Sequence, residues 1–373
     1  MNLSYWEYKT WLSNIDFAVI GSGIVGLNCA LQLKNKFPKA KILVLEKGIL
    51  PQGASSKNAG FACFGSISEI ISDLKTHSEE AVFQLVKKRW EGIHLLRKTL
   101  GDGQIGYQNH GGHELFRNNA QELYAHCLEK LMETNRLLRP IFKDDPFRPH
   151  ANSFHFNGIQ EKYITHAFEA QLDTGKMMSA LLFKVQKMGI TILNAVAVET
   201  FVAQDDAVAI QTSLFEFKAK HLLIATNGFA RKFGIEEVKP ARAQVLITKP
   251  IPHLPIKGTF HLEEGYYYFR NIDNRILLGG GRNLDFKGEE TSEFGETDLI
   301  QNQLEKMLRE IILPKTPFEI ESRWSGIMGV GDHKQPILRQ LSKNVYCGVR
   351  LGGMGIAIGS AVGRDLANMV ENS

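Results

Sequence analysis

The sequence predicts an α/β fold in two units, a discontinuous parallel-sheet unit and a mixed, antiparallel-rich α+β unit inserted into it. Three observations carry this. Strand, Gly-rich turn, helix and strand follow one another between residues 17 and 46. A second block of helix and buried strands spans 174–228. Between and after these blocks the pattern changes to short alternating strands bounded by turn residues. At 373 residues the chain also exceeds what one core usually supports.

"FAVI" (17–20) reads as a buried strand, "IVGLNCALQLKNKF" (24–37) as a helix stopped by Pro38, and "KILVLE" (41–46) as a second buried strand. Together they form one right-handed βαβ unit. Ser66 and Glu69 make an S-x-x-E box, which predicts a helix over 67–75. "QLVKKRWEGIHLLRKTL" (84–100) is a basic amphipathic helix. Its Leu/Ile/Trp stripe is expected to pack on the core rather than on a membrane surface. "TGKMMSALLFKVQKMG" (174–189) is helical, and "ITIL" (190–193), "VAVETFVA" (196–203), "AVAIQT" (207–212) and "HLLIATNG" (221–228) read as strands. Hairpin patterns are expected at "GGHELF" (111–116), "ARAQVLIT" (241–248), "GYYYFRN" (265–271) and "RILLGGG" (275–281), with Asp273-Asn274 at a turn. The resulting division assigns 14–78, 153–240 and 325–373 to the first unit, and 79–152 and 241–324 to the second.

"GSGIVG" (21–26) is GxGxxG placed between strand and helix, so the first unit reads as Rossmann-like. Gly21 permits the tight turn, Gly23 lets a pyrophosphate approach the backbone, and Gly26 lets helix pack on strand. The helix N-terminus offers its free N–H groups to phosphate. Glu46 falls twenty residues after Gly26, at the end of the second strand, where a carboxylate can accept hydrogen bonds from ribose hydroxyls. It would repel a 2′-phosphate, which disfavours NADP. NAD and FAD share ADP, so the βαβ unit leaves both open.

"GASSKNAGFACFGS" (53–66) follows directly, nearly all small residues with Lys57 as its one charge. Small side chains let a flat ring and a ribityl chain lie against backbone, and Ser55, Ser56 and Asn58 supply hydrogen bonds. With this stretch the sequence resembles the D-amino-acid oxidase superfamily of FAD-dependent oxidoreductases, which includes glycine oxidase, sarcosine oxidase and related amine and D-amino-acid dehydrogenases. "LLIATNGFA" (222–230) resembles the family's second cofactor turn, and Val198 stands where the family contacts adenine through backbone. "WSGIMGVGDHKQPIL" (324–338) and "VYCGVRLGGMGIAIGSAVG" (345–363) resemble its closing motif. The resemblance runs from about residue 15 to the end. It implies FAD as cofactor, with Gly21, Gly23, Ile24, Val25, Gly26, Glu46, Lys47, Ala54, Ser55, Ser56, Asn58, Ala59, Gly60, Val198, Ala225, Thr226, Asn227, Gly228, Gly326, Gly352, Gly353, Met354, Gly355 and Ile356 as candidate contacts.

It further implies an enzyme that moves a hydride from a carbon bearing an amine to flavin N5, giving an imine that hydrolyses. The partners expected are a small amine or amino acid, and oxygen or another electron acceptor. Oxidation of a 2-hydroxy acid is the alternative within flavin chemistry; an NAD-dependent dehydrogenase is the alternative from another class. In "GYYYFRN" strand alternation sets Tyr266, Tyr268 and Arg270 on one face, a wall suited to a carboxylate. These are the candidate catalytic residues, with Tyr266 the first choice. Replacing Arg270 is expected to alter substrate handling and leave stability nearly intact. Amino-acid oxidases of the family commonly carry a carboxylate-binding arginine just before the closing motif. Here Met328 stands in that place, leaving Arg270, Arg282, Arg242 or Arg350 to take its part, or a substrate without an α-carboxylate.

Cys29, Cys63, Cys127 and Cys347 lie far apart without a CxxC pair, which points to a reducing, cytoplasmic setting. Cys63 is expected to be a buried thiol rather than a covalent flavin link. In "NHGGHE" (109–114), Gly-Gly breaks the helix that a metal site on His110, His113 and Glu114 requires, so no metal is expected. A net charge of +4, spread along the chain, points away from nucleic acid. No apolar run approaches the ~20 residues of a spanning helix, and the N-terminus lacks a signal-peptide pattern, so no stable membrane insertion is expected.

Overall fold

The structure, a computed structural model, describes residues 2–370. Residues 371–373, expected in the first unit, lie outside the described residues. The apolar run Ile15–Ile20 forms the middle of a sheet ordered Ile337–Ser342, Val345–Val349, Glu216–Ile224, Ile15–Ile20, Ile42–Leu45, Thr191–Leu193. The four pairings inside the Ile337–Ser342 edge are parallel, with Val19 opposite Val44 and Leu223. The strands are buried on both faces, one against helices and the other against Val198, Val208, Ile210 and Ile235, and their near-continuous apolar composition follows from that. Val198–Ala203 and Val208–Thr212 extend the sheet as an antiparallel branch on Glu216–Ile224.

Two helices pack closely on this sheet. Ile24–Lys36 meets Gly355–Asn368 through glycine, since a Cβ at Gly363 would lie 2.5 Å from the Val25 carbonyl oxygen. Helix Glu79–Leu100 crosses the same closing helix at Gly92, where a Cβ would lie 2.0 Å from the Ala357 oxygen. Its Val82, Leu85, Val86, Ile93 and Leu96 are buried, so the apolar stripe serves the core. No helix among the described residues is long and apolar enough to cross a membrane.

The second sheet runs Ile320–Val330, Lys239–Thr248, Arg275–Gly280, Tyr267–Ile272, Thr259–Leu262, Gly112–Leu115, Lys162–His166, Phe147–Ala151. Tyr267–Ile272 and Arg275–Gly280 form the expected hairpin, turning through Asp273 and Asn274, both at positive φ. "GGHELF" differs from its hairpin reading. Gly112–Leu115 pairs parallel with Thr259–Leu262 and antiparallel with Lys162–His166, long-range partners that local alternation does not reveal. Strands Lys162–His166 and Ile320–Val330, which the boundaries at 153 and 325 give wholly or partly to the first unit, hydrogen-bond in the second sheet. One face of this sheet is a core of Phe260, Tyr267, Phe269 and Leu278 against helix Asp298–Met307. The other faces residues 53–66, where Ala59 packs on Val245 and Leu277.

Candidate functional site

The site begins where Ile15–Ile20 ends. Gly21 turns at φ +101°, and a Cβ there would lie 2.8 Å from the Ala225 oxygen. At Gly26 a Cβ would lie 1.9 Å from the Gly21 oxygen, so the first turn of the helix sits directly on the strand end. Gly23 caps Ile24–Lys36 without a side-chain bond, and Ser55 Oγ accepts the Ile24 N–H at 2.9 Å. The small-residue stretch therefore lies over the motif. Beside it begins Gly355–Asn368, whose Gly359 abuts Ile24 and whose cap, Met354, also makes no side-chain capping bond. Nothing lies within 4 Å of a Cβ at Gly353 or Gly355. Thr226 Oγ1 is buried with no hydrogen-bond partner among the described residues. Adjacent helix N-termini, a glycine-lined approach and an orphaned hydroxyl fit a bound dinucleotide.

The other candidate contacts brace this cradle. Glu46 is buried; its Oε2 accepts from Ser22 N–H at 3.1 Å and Ser22 Oγ–H at 2.8 Å, and its Oε1 from Gly48 N–H at 3.0 Å. It thus fixes the Gly turn from below. Lys47 turns to the Phe229 ring, 3.6 Å from its centroid. Asn58 Nδ2 donates to the Ala54 and Ser55 oxygens while Oδ1 accepts from Gly60 N–H, which folds 54–60 on itself. Ser56 bonds back to Pro51. Asn227 Oδ1 accepts from Leu351 N–H at 3.0 Å, and Gly352 donates to Gly329, joining the 225–228 turn to the closing loop. At Gly326 a Cβ would meet Lys57 at 3.2 Å, and Trp324 Nε1–H donates to the Lys57 oxygen at 2.9 Å. Val198 is buried at the start of the antiparallel branch, two residues beyond the Val196 N–H that bonds the Glu46 oxygen.

The facing wall is the inner side of the second sheet. Strand register sets Glu114, His261, Tyr268, Gly279, Val245 and Trp324 in one cross-strand row. Tyr268 lies over Gly279, where a Cβ would come within 2.6 Å of its ring and hydroxyl. The Phe61 ring stands edge-on to Tyr268 at 5.6 Å and to His261 at 5.3 Å. Burial pushes the Tyr268 phenol up to about 12.

The expected trio does not assemble as one wall. The strand begins at Tyr267, so Tyr266 stands outside it, 42% exposed, edge-on to Phe286. Arg270 does share the inner face, but it is 2% exposed and its Nη1 donates to the Leu172 oxygen at 2.6 Å and the Gly60 oxygen at 3.1 Å. Its Nε has no partner among the described residues, and desolvation lowers its pKa to about 10. Arg242 is paired to Glu289 through two nitrogens, Arg350 donates to the Gln335 oxygen, and Arg282 stacks on Phe286.

A buried network next to the wall had no signal in the sequence. Glu169 Oε1 accepts from Phe64 N–H at 2.8 Å and Gly65 N–H at 3.3 Å, and its Oε2 lies 3.1 Å from His261 Nε2. Burial alone would raise this carboxyl, but the His261 charge and hydrogen bond outweigh it and hold it at about 2. For His261 burial pulls the other way, and Glu169 raises the imidazole above its ordinary value. His113 and His166 are pushed down to about 4 by burial. Glu114, raised by burial, accepts from Ser68 N–H at 3.0 Å and from its hydroxyl. Arg89, buried on helix Glu79–Leu100, pairs with Glu69 at 3.0 Å and donates from Nε to Met354 Sδ. Cys63 is a free, half-buried thiol raised by desolvation.

A family model described as FAD dependent oxidoreductase (DAO) matches residues 16–369. The probable oxidoreductase OrdL of Haemophilus influenzae is 20% identical over 382 residues, covering 97% of this chain and 84% of the relative. Glycine oxidase from Bacillus cereus superimposes with a TM-score of 0.72 at 17% identity, over 95% of this chain and 94% of that one. L-Proline dehydrogenase from P. horikoshii does so with a TM-score of 0.73 at 16% identity, over 95% and 93%. The FAD-dependent family model over nearly the whole chain replaces the NAD-dependent alternative. With the GxGxxG turn, the small-residue stretch and the closing loop gathered at one cradle, the chain belongs to the DAO family of FAD-dependent oxidoreductases.

Proposed function

We propose that the enzyme oxidises the carbon–nitrogen bond of a small amine or amino acid to an imine, which water hydrolyses to a carbonyl compound. FAD, when bound, would supply the two-electron acceptor for the substrate carbon. Gly21, Gly23 and the N-terminus at Ile24 would hold the pyrophosphate, with Thr226 and the 351–356 loop around it. The 54–60 turn and Gly326 would flank the rest of the cofactor.

The observation that carries the substrate reading is the wall. Tyr268, Phe61, Val245, Leu277 and Trp324 form an apolar cluster against the small-residue stretch, with His261 at its edge. Such a surface excludes water from a reacting carbon and orients a small, largely apolar substrate. Arg242 is paired with Glu289, Arg350 donates to the Gln335 oxygen, Arg270 Nη1 is spent on two backbone oxygens, and Arg282 lies against Phe286 outside the cluster. An amine whose carboxylate is absent or held by backbone therefore suits the wall best.

The test is anaerobic mixing of the FAD-loaded enzyme with matched primary amines, secondary amines, amino acids and 2-hydroxy acids. Loss of the flavin absorbance with amines is the expected result. Reduction by hydroxy acids alone would transfer the reading to C–O oxidation. Oxygen and a soluble quinone, supplied separately to the reduced enzyme, identify the acceptor.

A further inference from the structure

We propose that His261, held through Nε2 by the buried carboxylate of Glu169, is the group that takes the proton from an incoming substrate ammonium. This rests on the amine reading above and adds to it the residue that makes the substrate reactive.

The geometry fixes the tautomer. Glu169 Oε2 lies 3.1 Å from Nε2, so a neutral imidazole keeps its proton there and presents a lone pair at Nδ1. With Nε2 taken by Glu169, Nδ1 is the ring nitrogen left to a substrate. Glu169 cannot swing away, because its other oxygen is held by the N–H groups of Phe64 and Gly65. The dyad is thus fastened at one end to the stretch that lies over the nucleotide motif. At the other end it stands in the wall, opposite Tyr268 in register and in contact with Phe61.

The chemistry needs such a group. An alkyl amine is an ammonium ion at neutral pH, without the nitrogen lone pair that must become the second bond of the imine. Transfer of one N–H proton to Nδ1 leaves a neutral amine and an imidazolium. Glu169 then balances the new charge, as a carboxylate does for a histidine base generally. No oxidant or reductant is consumed in this step, and the imidazolium returns its proton to water as product leaves.

The groups facing His261 are Glu169, Glu114 on the next strand, Tyr268 on the other neighbouring strand, His113 and His166 within the network, and Glu69 on helix Ile67–Thr76. Its carboxylates, Glu169 first, outweigh burial and make the imidazole a stronger base than usual.

The test follows flavin reduction without oxygen in the parent and in His261→Gln, between about pH 6 and 10, with an alkyl amine that bleaches the parent. The variant should keep its flavin spectrum and lose on the order of 100-fold in rate near pH 7. The deficit should close toward pH 10, where an alkyl amine of pKa about 10 is already neutral in solution. A merely structural role predicts no such recovery. A variant whose pH profile matches the parent's overturns the proposal. Should His261→Gln not hold flavin, Glu169→Gln decides: it should move the acid limb of the rate profile to lower pH, and an unmoved limb overturns the proposal. If no amine bleaches the parent at any pH, the amine reading itself fails and this one falls with it.

Discussion

Arg270 reaches across from the second sheet and donates from Nη1 to the carbonyl oxygens of Gly60 and Leu172, at 3.1 and 2.6 Å. It joins the sheet to one end of the small strand pair made by Phe61–Ala62 and Ala170–Gln171, where Gly60 and Leu172 lie opposite each other. The guanidinium is a tie between units before it is anything else.

Arg270→Met should therefore destabilise the protein, contrary to the expectation from sequence. Loss of two charge-assisted bonds, which leaves the Leu172 oxygen without its donor while Gly60 keeps the Leu172 N–H, costs about 2–4 kcal/mol. Arg270→Lys should recover part of it. Chemical denaturation of the two variants measures this. A Met variant as stable as the parent would mean that the Leu172 oxygen finds another donor.

The glycine motif separates folding from cofactor binding. A Cβ at Gly26 would stand 1.9 Å from the backbone oxygen of Gly21, which cannot give way, whereas at Gly23 it would meet the Ser55 hydroxyl at 2.9 Å. Gly26→Ala should cost on the order of 3 kcal/mol or more in stability. Gly23→Ala should fold but hold FAD more weakly. Thermal melts with and without added FAD distinguish the two. The reverse pattern would displace the motif from the role given to it.

Most of the first unit was legible because its signals are local. The strand at 17–20, the helix from Ile24 and the cap at Ser66, which accepts from Glu69 N–H, each need only neighbours in sequence. The Glu69 side chain shows the limit: instead of completing the capping box it pairs with Arg89 and Lys334. The wall was less legible. Alternation sorted Tyr268 and Arg270 from Tyr267 and Phe269 correctly, but not that the strand starts after Tyr266. The Glu169–His261 contact spans 92 residues and depends on Gly112–Leu115 pairing parallel with Thr259–Leu262, which no periodicity encodes.

Acid should weaken the fold earlier than carboxylates alone would make it. His113 and His166 are held neutral, at about 4 against an ordinary 6.5, so below 6.5 the unfolded chain binds protons that the fold refuses. Stability is then lost as pH falls from about 6.5 to 4, by at most roughly 3 kcal/mol for each histidine. Glu169, held at about 2, adds its loss only below 4.5. His261, raised, works in the opposite sense, its contribution being present at low pH and lost as pH rises through its folded value. Melting temperatures from pH 7.5 to 4.5 should fall more steeply for the parent than for His166→Asn. Equal slopes would mean that His166 takes up its proton without cost.

Met328 offers a gain-of-function test of the substrate reading. It lies on the same face of Ile320–Val330 as Gly326 and Trp324, which meet Lys57 of the small-residue stretch, and it is half-buried opposite Ala241. The resemblance read from the sequence expects a carboxylate-binding arginine at this position. If the native substrate meets no arginine, Met328→Arg supplies a cation to the same slot. A charge-assisted, two-nitrogen contact is worth about 1.5–3 kcal/mol, so an α-amino acid should saturate flavin reduction at a concentration lowered by roughly 10- to 100-fold. Its carboxamide, identical except for the charge, should respond little or lose affinity. Comparing the two concentration dependences in parent and variant isolates the carboxylate. If the parent already prefers the acid to the amide by that margin and the variant does not improve on it, the carboxylate has a partner elsewhere. Arg282, stacked on Phe286 rather than paired with a carboxylate, is then the residue to replace.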